Sequence, residues 1–408
     1  MKVGLSRSAL GLVSAGFALL PGFALPFIVS ARWDSSNSDD LFLAMSIAIM
    51  IYGIFSPVIE VSTIAEITLT KSNLVEGLGT YLVRISATTL VGGSLFGVPL
   101  LLTYQTGARN PTEFALAAWL FIASGIVGSI GAVFSGLLMA AGRLFLPLSS
   151  QSTKTLLALV GIFLFGIHTP VEIAIIFCVG EITRIFLLAR SSKNLFKLRG
   201  KTSLHVRGFS LQSISSVISQ ASPISDRYFL GQSQIGSVTT YELADKLYFM
   251  GIQVLNYAYI TPNYPQWAKL AASEDTSERD VKRLFLRSSA YASIIAITLS
   301  GCLLAIKYSL LLPNSWADAI IWAMVLIPTI PLSVLNTIGS RLLAVKRKQA
   351  LLVKLSLITV FVNLLLDIAL FSMFGAIGIV AATALTRLVT ASIYFVSVDR
   401  VFRNRYLA

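Results

Sequence analysis

The chain has 408 residues, of which 55% are hydrophobic and 12% charged, with a mean hydropathy of +0.78. A soluble domain carries about 25% charged residues, so there is too little charge here to cover a water-facing surface, and the length allows many spans of about 20 residues. The net charge of +13 lies in short basic clusters between apolar runs and not in one basic domain. That excludes a nucleic-acid binder and fits a membrane protein anchoring its loops.

The two cysteines, Cys178 and Cys302, sit inside apolar segments and exclude a disulfide framework. His168 and His205 are too far apart in sequence to offer ligand spacing, and no Walker-type phosphate loop is present. No metal, nucleotide or other cofactor is expected.

At the N-terminus, Lys2 and Arg7 precede an apolar run from Ala9 to Ser30. Val29-Ser30-Ala31 loosely resembles a signal-peptidase site, but the run is long for a signal peptide and reads as the first spanning helix. Further apolar segments follow at 41–69, 77–103, 113–141, 153–168, 171–190, 208–231, 236–263, 285–307, 316–345, 350–372 and 375–397. The segment after Lys154 is short and the one at 208–231 is unusually polar. The prediction is an all-α polytopic membrane protein of about twelve spanning helices.

Charge tests that topology. With the N-terminus in the cytoplasm, 22 of the 32 Lys and Arg residues fall in cytoplasmic segments, Lys154 among them. Three (Arg32, Arg109 and Lys307) fall outside, and seven lie within spans (32 − 22 − 3). The split follows the positive-inside rule and predicts a multi-pass protein of a bacterial inner membrane with both termini cytoplasmic. The outer loops are short, Arg32–Asp40 being among the longest, while the longest cytoplasmic loops are 191–207 and 266–284.

The halves repeat weakly. Gly180-Glu181-Ile182-Thr183-Arg184 aligns with Thr383-Ala384-Leu385-Thr386-Arg387. Leu138–Arg143 aligns with Leu342–Arg347, and Asp39-Asp40-Leu41-Phe42 with Asp245-Lys246-Leu247-Tyr248, at offsets of 203, 204 and 206. Six helices per repeat is even, so the repeat is parallel. It predicts two six-helix bundles, 1–200 and 201–408, related by a pseudo-twofold axis along the membrane normal around a central cavity.

At these positions the chain resembles the multidrug/oligosaccharidyl-lipid/polysaccharide exporter superfamily, and within it the MurJ-type and Wzx-type flippases of lipid-linked saccharides. Asp39-Asp40-Leu41-Phe42-Leu43-Ala44 resembles the stretch that opens the second helix of the MurJ type. Gly236-Ser237-Val238 with Leu243-Ala244-Asp245-Lys246-Leu247 resembles the stretch that opens its eighth, and Asp226-Arg227-Tyr228-Phe229 is also similar. Two departures stand out: there is no arginine from Ala9 to Ala31, and Tyr52-Gly53 stands where the MurJ type has an Arg-Arg pair. The MurJ type also has two further C-terminal helices. These differences favour a Wzx-type transporter of a different saccharide.

The within-span cations are Arg84, Arg184, Arg227, Lys246, Arg341, Lys354 and Arg387. A charge facing lipid at the bilayer centre costs at least about 2.5–3.5 kcal/mol, so they should face protein or water. Lys246 matches an arginine of the MurJ type at the cavity-lining eighth helix, which implies a diphosphate contact; a pair with Asp245 or Glu242 is the competing reading. Arg227, Arg387 and Arg84 are the other candidate cavity cations. Arg227 has adjacent Asp226 as a possible partner, Arg387 has Asp367 on the neighbouring helix, and Arg84 lies near enough to the cytoplasmic face to snorkel. Arg184 reads as a pair with Glu181 three residues before it. Gln212, Ser215, Ser216, Ser219, Ser222 and Asp226 form a polar stripe on the seventh segment, which argues for a water-filled cavity, with helix packing through small serines as the alternative. Asp39 and Asp245 complete the predicted polar lining. Pro57, Pro223, Pro262 and Pro265 are candidate bends in cavity-lining helices.

The expected function is a non-enzymatic flippase. It would move a polyprenyl-diphosphate-linked oligosaccharide, such as an O-antigen repeat unit, from the cytoplasmic to the periplasmic leaflet by alternating access. Its partners would be that lipid, the bilayer and other polysaccharide-assembly membrane proteins. A cation-coupled multidrug exporter is the alternative, and a polytopic polymerase or ligase is disfavoured by the short outer loops.

Overall fold

The computed structural model describes all residues except 1–15, 17–18, 71–77, 144, 196–205, 261–266, 268–277, 310–313, 347 and 404–408. The described residues form helices and no strands. They run as α1 (Leu19–Arg32), α2 (Ser35–Thr70), α3 (Leu78–Gln105), α4 (Pro111–Ala140), α5 (Thr153–Leu164), α6 (Pro170–Ser192), α7 (Val206–Gly231), α8 (Ser237–Leu255), α9 (Glu278–Ser309), α10 (Asn314–Leu326), α11 (Ile330–Val345), α12 (Gln349–Phe374) and α13 (Ala376–Arg403). A 3-10 turn at Ile327–Thr329 separates α10 from α11, so these two make one span and the chain has twelve.

Seven spans are long and apolar enough to cross a membrane on composition alone: those of α2, α3, α4, α9, α10–α11, α12 and α13. The helices α5 to α8 are absent from that set. They are the ones that carry Lys154, Glu181, Arg184, Asp226, Arg227, Glu242, Asp245 and Lys246. Polarity in this fold is therefore concentrated in consecutive helices that bury it against the apolar ones.

Local signals set the helix starts. Thr169 caps α6 in a capping box with Glu172, and Pro170 occupies the first turn, where its missing N–H costs nothing. Asn110 and Pro111 start α4 in the same way. Gly236, at φ 91, turns the chain into α8 in the left-handed region that other residues avoid. Pro57, Pro99 and Pro223 lie inside α2, α3 and α7, while Pro262 and Pro265 lie outside the described residues.

Two sequence expectations change. The first outer loop shrinks to Trp33 and Asp34, because α2 already begins at Ser35. Asp39 and Asp40 are thus buried in its first turns. Asp40 accepts hydrogen bonds from the backbone N–H groups of Arg109 (2.8 Å) and Asn110 (2.8 Å), which ties the α3–α4 loop to α2. The second change concerns Lys154. The helical course begins at Phe145 and runs through a 3-10 turn at Ser150–Ser152 into α5. From Phe145 to Leu164 it covers about 30 Å, and Lys154 stands halfway along it. This lysine belongs to the interior of a span, not to a cytoplasmic loop.

The chain divides into two compact units, Met1–Gln220 and Ala221–Ala408, with the division inside α7. In unit 1, α4 is central and packs against α2 and α6. Gly125, Gly128 and Gly136 let it approach closely: a Cβ at Gly136 would lie 3.0 Å from the Glu60 carbonyl oxygen of α2. In unit 2, α12 packs on α13, α8 on α10, and α11 on both α9 and α13.

Candidate functional site

Unit 1 holds one buried ionic cluster. Glu181 of α6 is fully buried and bridges two cations. Its Oε1 meets Lys154 Nζ from α5, and its Oε2 accepts from Arg184 Nη1 at 3.1 Å, one turn further along α6. Arg184 Nη2 donates to the Tyr52 hydroxyl (3.3 Å) and to Ser135 Oγ (3.4 Å). Two glycines make the space. A Cβ at Gly180 would lie 2.5 Å from Lys154 Cα, and one at Gly128 would lie 2.9 Å from the Glu181 carboxyl carbon. The expected Glu181–Arg184 pair is present, with Lys154 as a partner that the sequence did not reveal.

Unit 2 holds two clusters. In the first, Glu242 of α8 is buried and bridges Arg227 Nη2 of α7 (3.2 Å) and Lys246 Nζ one turn along α8 (3.0 Å). Of the two partners open to Lys246, Glu242 is the one it meets. Arg227 likewise donates to Glu242. Asp245 is buried within electrostatic range of Arg227, Arg387 and Lys246. Arg387 of α13 does not pair with Asp367. Its guanidinium lies 3.8 Å from the centre of the Tyr248 ring and donates to Thr329 Oγ1 at 3.2 Å. Arg227, Lys246 and Arg387 thus gather around Glu242 and Asp245, and Asp226 reaches the same group through Tyr241.

The second cluster of unit 2 is built on Asp226 of α7 and Asp367 of α12, both buried. Asp226 Oδ2 accepts from the Tyr241 hydroxyl (2.9 Å) and Thr383 Oγ1 (3.1 Å). Asn363 Nδ2 donates to Asp226 Oδ1 (3.0 Å) and to Asp367 Oδ2 (2.8 Å), and Ser225 Oγ donates to the latter (2.7 Å). No N–H or O–H reaches the buried Asp367 Oδ1. The two carboxyls face one another among neutral donors. Such a pair needs a positive charge, a proton or a small cation, between its members. The donors are all oxygens apart from the Asn363 amide, a set that suits a hard monovalent cation. No group of three or more His, Cys, Asp or Glu capable of holding a metal is present among the described residues.

The remaining predicted residues are dispersed. Arg84 is exposed on α3 in unit 1, beside the equally exposed Val83. Asp39 is buried at the start of α2. On α7, Ser219 is exposed and turns its hydroxyl to the Ser216 carbonyl (2.7 Å), and Ser216 is half-buried. The side chain of Gln212 lies outside the described residues. Sequence reasoning missed Asn363, Thr383 and Tyr241. The one signal for Thr383 was its place in the repeat, opposite Gly180.

These features define a polytopic helical membrane protein of twelve spans in two compact units, each with ionic side chains buried within its spans. Solved structures of a flippase and of multidrug transporters share this fold. An inward closed conformation of the lipid II flippase MurJ aligns with a TM-score of 0.76 at 14% identity, over 98% of this chain and 91% of that one. A point mutant of the Vibrio cholerae MATE transporter VcmN aligns with a TM-score of 0.68 at 14% identity over the whole of both chains. An outward-facing multidrug resistance MATE family transporter aligns with a TM-score of 0.70 at 15% identity, over 99% and 96% of the chains. No family model and no curated protein matches the sequence.

Proposed function

We propose that the protein is a flippase that carries a polyprenyl-diphosphate-linked oligosaccharide from the cytoplasmic to the periplasmic leaflet of a bacterial inner membrane by alternating access. The observation that carries this reading is the gathering of three cations, Arg227, Lys246 and Arg387, near Glu242 and Asp245. Lys246 is 24% exposed and shares its carboxylate with Arg227, while Arg387 has a ring and a hydroxyl for partners but, among the described residues, no carboxylate within ion-pair distance. A diphosphate that must leave the headgroup region finds here a partly exposed ammonium and a guanidinium able to make paired hydrogen bonds. Within unit 1, taken by itself, Arg84, Asp39, Ser216 and Ser219 remain candidates for polar lining in this proposal. No covalent step is involved.

The Asp226–Asp367 pair supplies the drive in this reading. Taking up and releasing a proton or a small cation changes the charge buried beside α12 and α13, and so couples an ion gradient to the exchange of conformations. The same pair favours one second reading, a cation-coupled multidrug exporter, and a multidrug resistance MATE family transporter is among the structures of similar fold.

Complementation of a flippase-deficient strain tests the first reading. The wild-type chain is expected to restore surface polysaccharide, and Lys246→Ala to lose most of that activity while remaining in the membrane. Full activity of Lys246→Ala removes Lys246 from the site. Ethidium efflux from cells expressing the wild-type chain, without complementation, favours the exporter.

A further inference from the structure

The cluster around Glu181 takes no part in the reading above, yet it places a lysine halfway along a spanning course. Ionisable residues at that depth are costly and are retained for a reason. The arrangement has three notable properties. First, each oxygen of the buried Glu181 carboxylate has one cation, Lys154 on Oε1 and Arg184 on Oε2. Second, Glu60 of α2 is within electrostatic range of Arg184, so Glu60 and Glu181 balance Lys154 and Arg184, and removing Lys154 leaves one negative charge in excess. Third, Lys154 is 22% exposed whereas Glu181 is sealed. Lys154 is thus the exposed member of the pair.

Its surroundings are those of a small-cation pocket. The Lys154 ammonium lies 5.1 Å from the centre of the Tyr52 ring and 5.6 Å from that of Phe177, rings whose faces attract any compact cation. Gly180 lets the Lys154 backbone press against α6, which sets the reach of the side chain to Glu181.

We infer that Glu181 is a monovalent-cation site whose occupant is the chain's own ammonium: Lys154 is a tethered cation that fills the place a mobile ion would take. Unit 1 then needs no exchangeable cation, whatever the cargo.

The test is chemical replacement of the ammonium in the full-length protein in detergent, read as thermal unfolding in chloride salts of methylammonium, potassium, sodium and choline at one ionic strength. The wild-type protein sets the baseline, including any response of the Asp226–Asp367 pair. In Lys154→Ala, methylammonium is expected to raise the midpoint above its value in choline by about 2–4 °C more than in the wild type, when present at about ten times its dissociation constant. Potassium and sodium should give smaller gains, and choline is too large to enter. The double variant Lys154→Ala with Glu181→Gln restores the formal charge balance and should lose the extra response.

A Lys154→Ala protein that folds and responds to these salts as the wild type does overturns the inference. So does an extra response that survives in the double variant. If Lys154→Ala is unrecoverable in every salt while the double variant is recovered, no mobile ion can replace the ammonium, and the inference fails. Loss of both variants assigns the lysine to packing and overturns it as well.

Discussion

The Glu181 cluster of unit 1 and the Asp226–Asp367 cluster of unit 2 occupy related places in the sequence repeat and are finished in opposite ways. The register that aligns Arg184 with Arg387 also aligns Gly180 with Thr383 and Glu181 with Ala384. Both arginines turn to a tyrosine on the second helix of their unit, Tyr52 on α2 and Tyr248 on α8. The fifth span differs in sign. In unit 1 it brings Lys154 to a carboxylate on the sixth; in unit 2 it brings Asp367 and Asn363 towards Thr383 and Asp226. Unit 2 has cations of its own, but Arg227 and Lys246 are committed to Glu242. Glu181 is met by two cations in direct contact, whereas the hydrogen bonds to the Asp226–Asp367 pair come from neutral groups. A chain with a repeated scaffold can thus hold a fixed ionic joint in one half and an exchangeable one in the other.

The strongest test of the fixed joint is Glu181→Ala. It leaves the buried Arg184 without a carboxylate in contact and strands Lys154. Breaking a buried pair from one side costs about 3–5 kcal/mol. The expected outcome is a large drop in the unfolding midpoint, or loss of folded protein from the membrane fraction. A midpoint near that of the wild type would show that the cluster is not a structural joint.

Asp367→Asn should behave differently. Only neutral groups donate to the Asp226–Asp367 pair, so removing one charge relieves repulsion and leaves Asn363 and Ser225 with an acceptor. Stability is expected to change by no more than about 1 kcal/mol. Transport should instead lose its ion dependence and fall by about 5–150-fold, the range of a coupling free energy of about 1–3 kcal/mol. Transport in proteoliposomes with and without an imposed ion gradient checks this. A variant that unfolds while its ion dependence persists would make the two clusters alike.

The repeat partners Gly180 and Thr383 sharpen the contrast. Gly180→Ala places a Cβ against the Lys154 backbone and should cost about 1–3 kcal/mol through overpacking. Thr383→Ala removes one donor to Asp226 and should cost about 1 kcal/mol, with its main effect on ion dependence. Unfolding midpoints of both variants, measured side by side, give the comparison.

The sequence revealed much of the scaffold and little of this contrast. Apolar run lengths and basic loops marked the twelve spans, because a membrane imposes its thickness on every helix. Glu181–Arg184 and Glu242–Lys246 were legible because they lie one turn apart on single helices. Lys154–Glu181, Arg227–Glu242 and Asp226–Asn363–Asp367 were not, since each joins separate helices whose rotation is set by packing. Lys154 was hidden further by its neighbours. Ser149 to Ser152 read as a loop before the segment at 153–168, yet the hydroxyls of Ser149, Ser150, Ser152 and Thr153 bond to carbonyls three or four residues back, which lets a polar stretch continue as helix. Arg387 shows the opposite error. Asp367 was the obvious counter-charge on the adjacent helix, but it is turned to Ser225 and Asn363, and the arginine rests on an aromatic face instead.

The smallest expected effects separate the two arginine–tyrosine pairs. Arg184 uses the Tyr52 hydroxyl at 3.3 Å and lies 5.6 Å from the ring centre, whereas Arg387 lies 3.8 Å from the centre of the Tyr248 ring, whose hydroxyl contacts Ser333. Tyr52→Phe should therefore weaken the Arg184 contact, while Tyr248→Phe keeps the ring under Arg387 and loses the hydroxyl's contacts with Ser333 and Thr329. Truncation to leucine removes the cation–π contribution, about 0.5–2 kcal/mol, and should act mainly at Tyr248. The observable is the extra cost of Leu over Phe at each site, from four unfolding midpoints. An equal extra cost at the two tyrosines would mean that both arginines are held through the ring, and that the two halves differ in their acids alone.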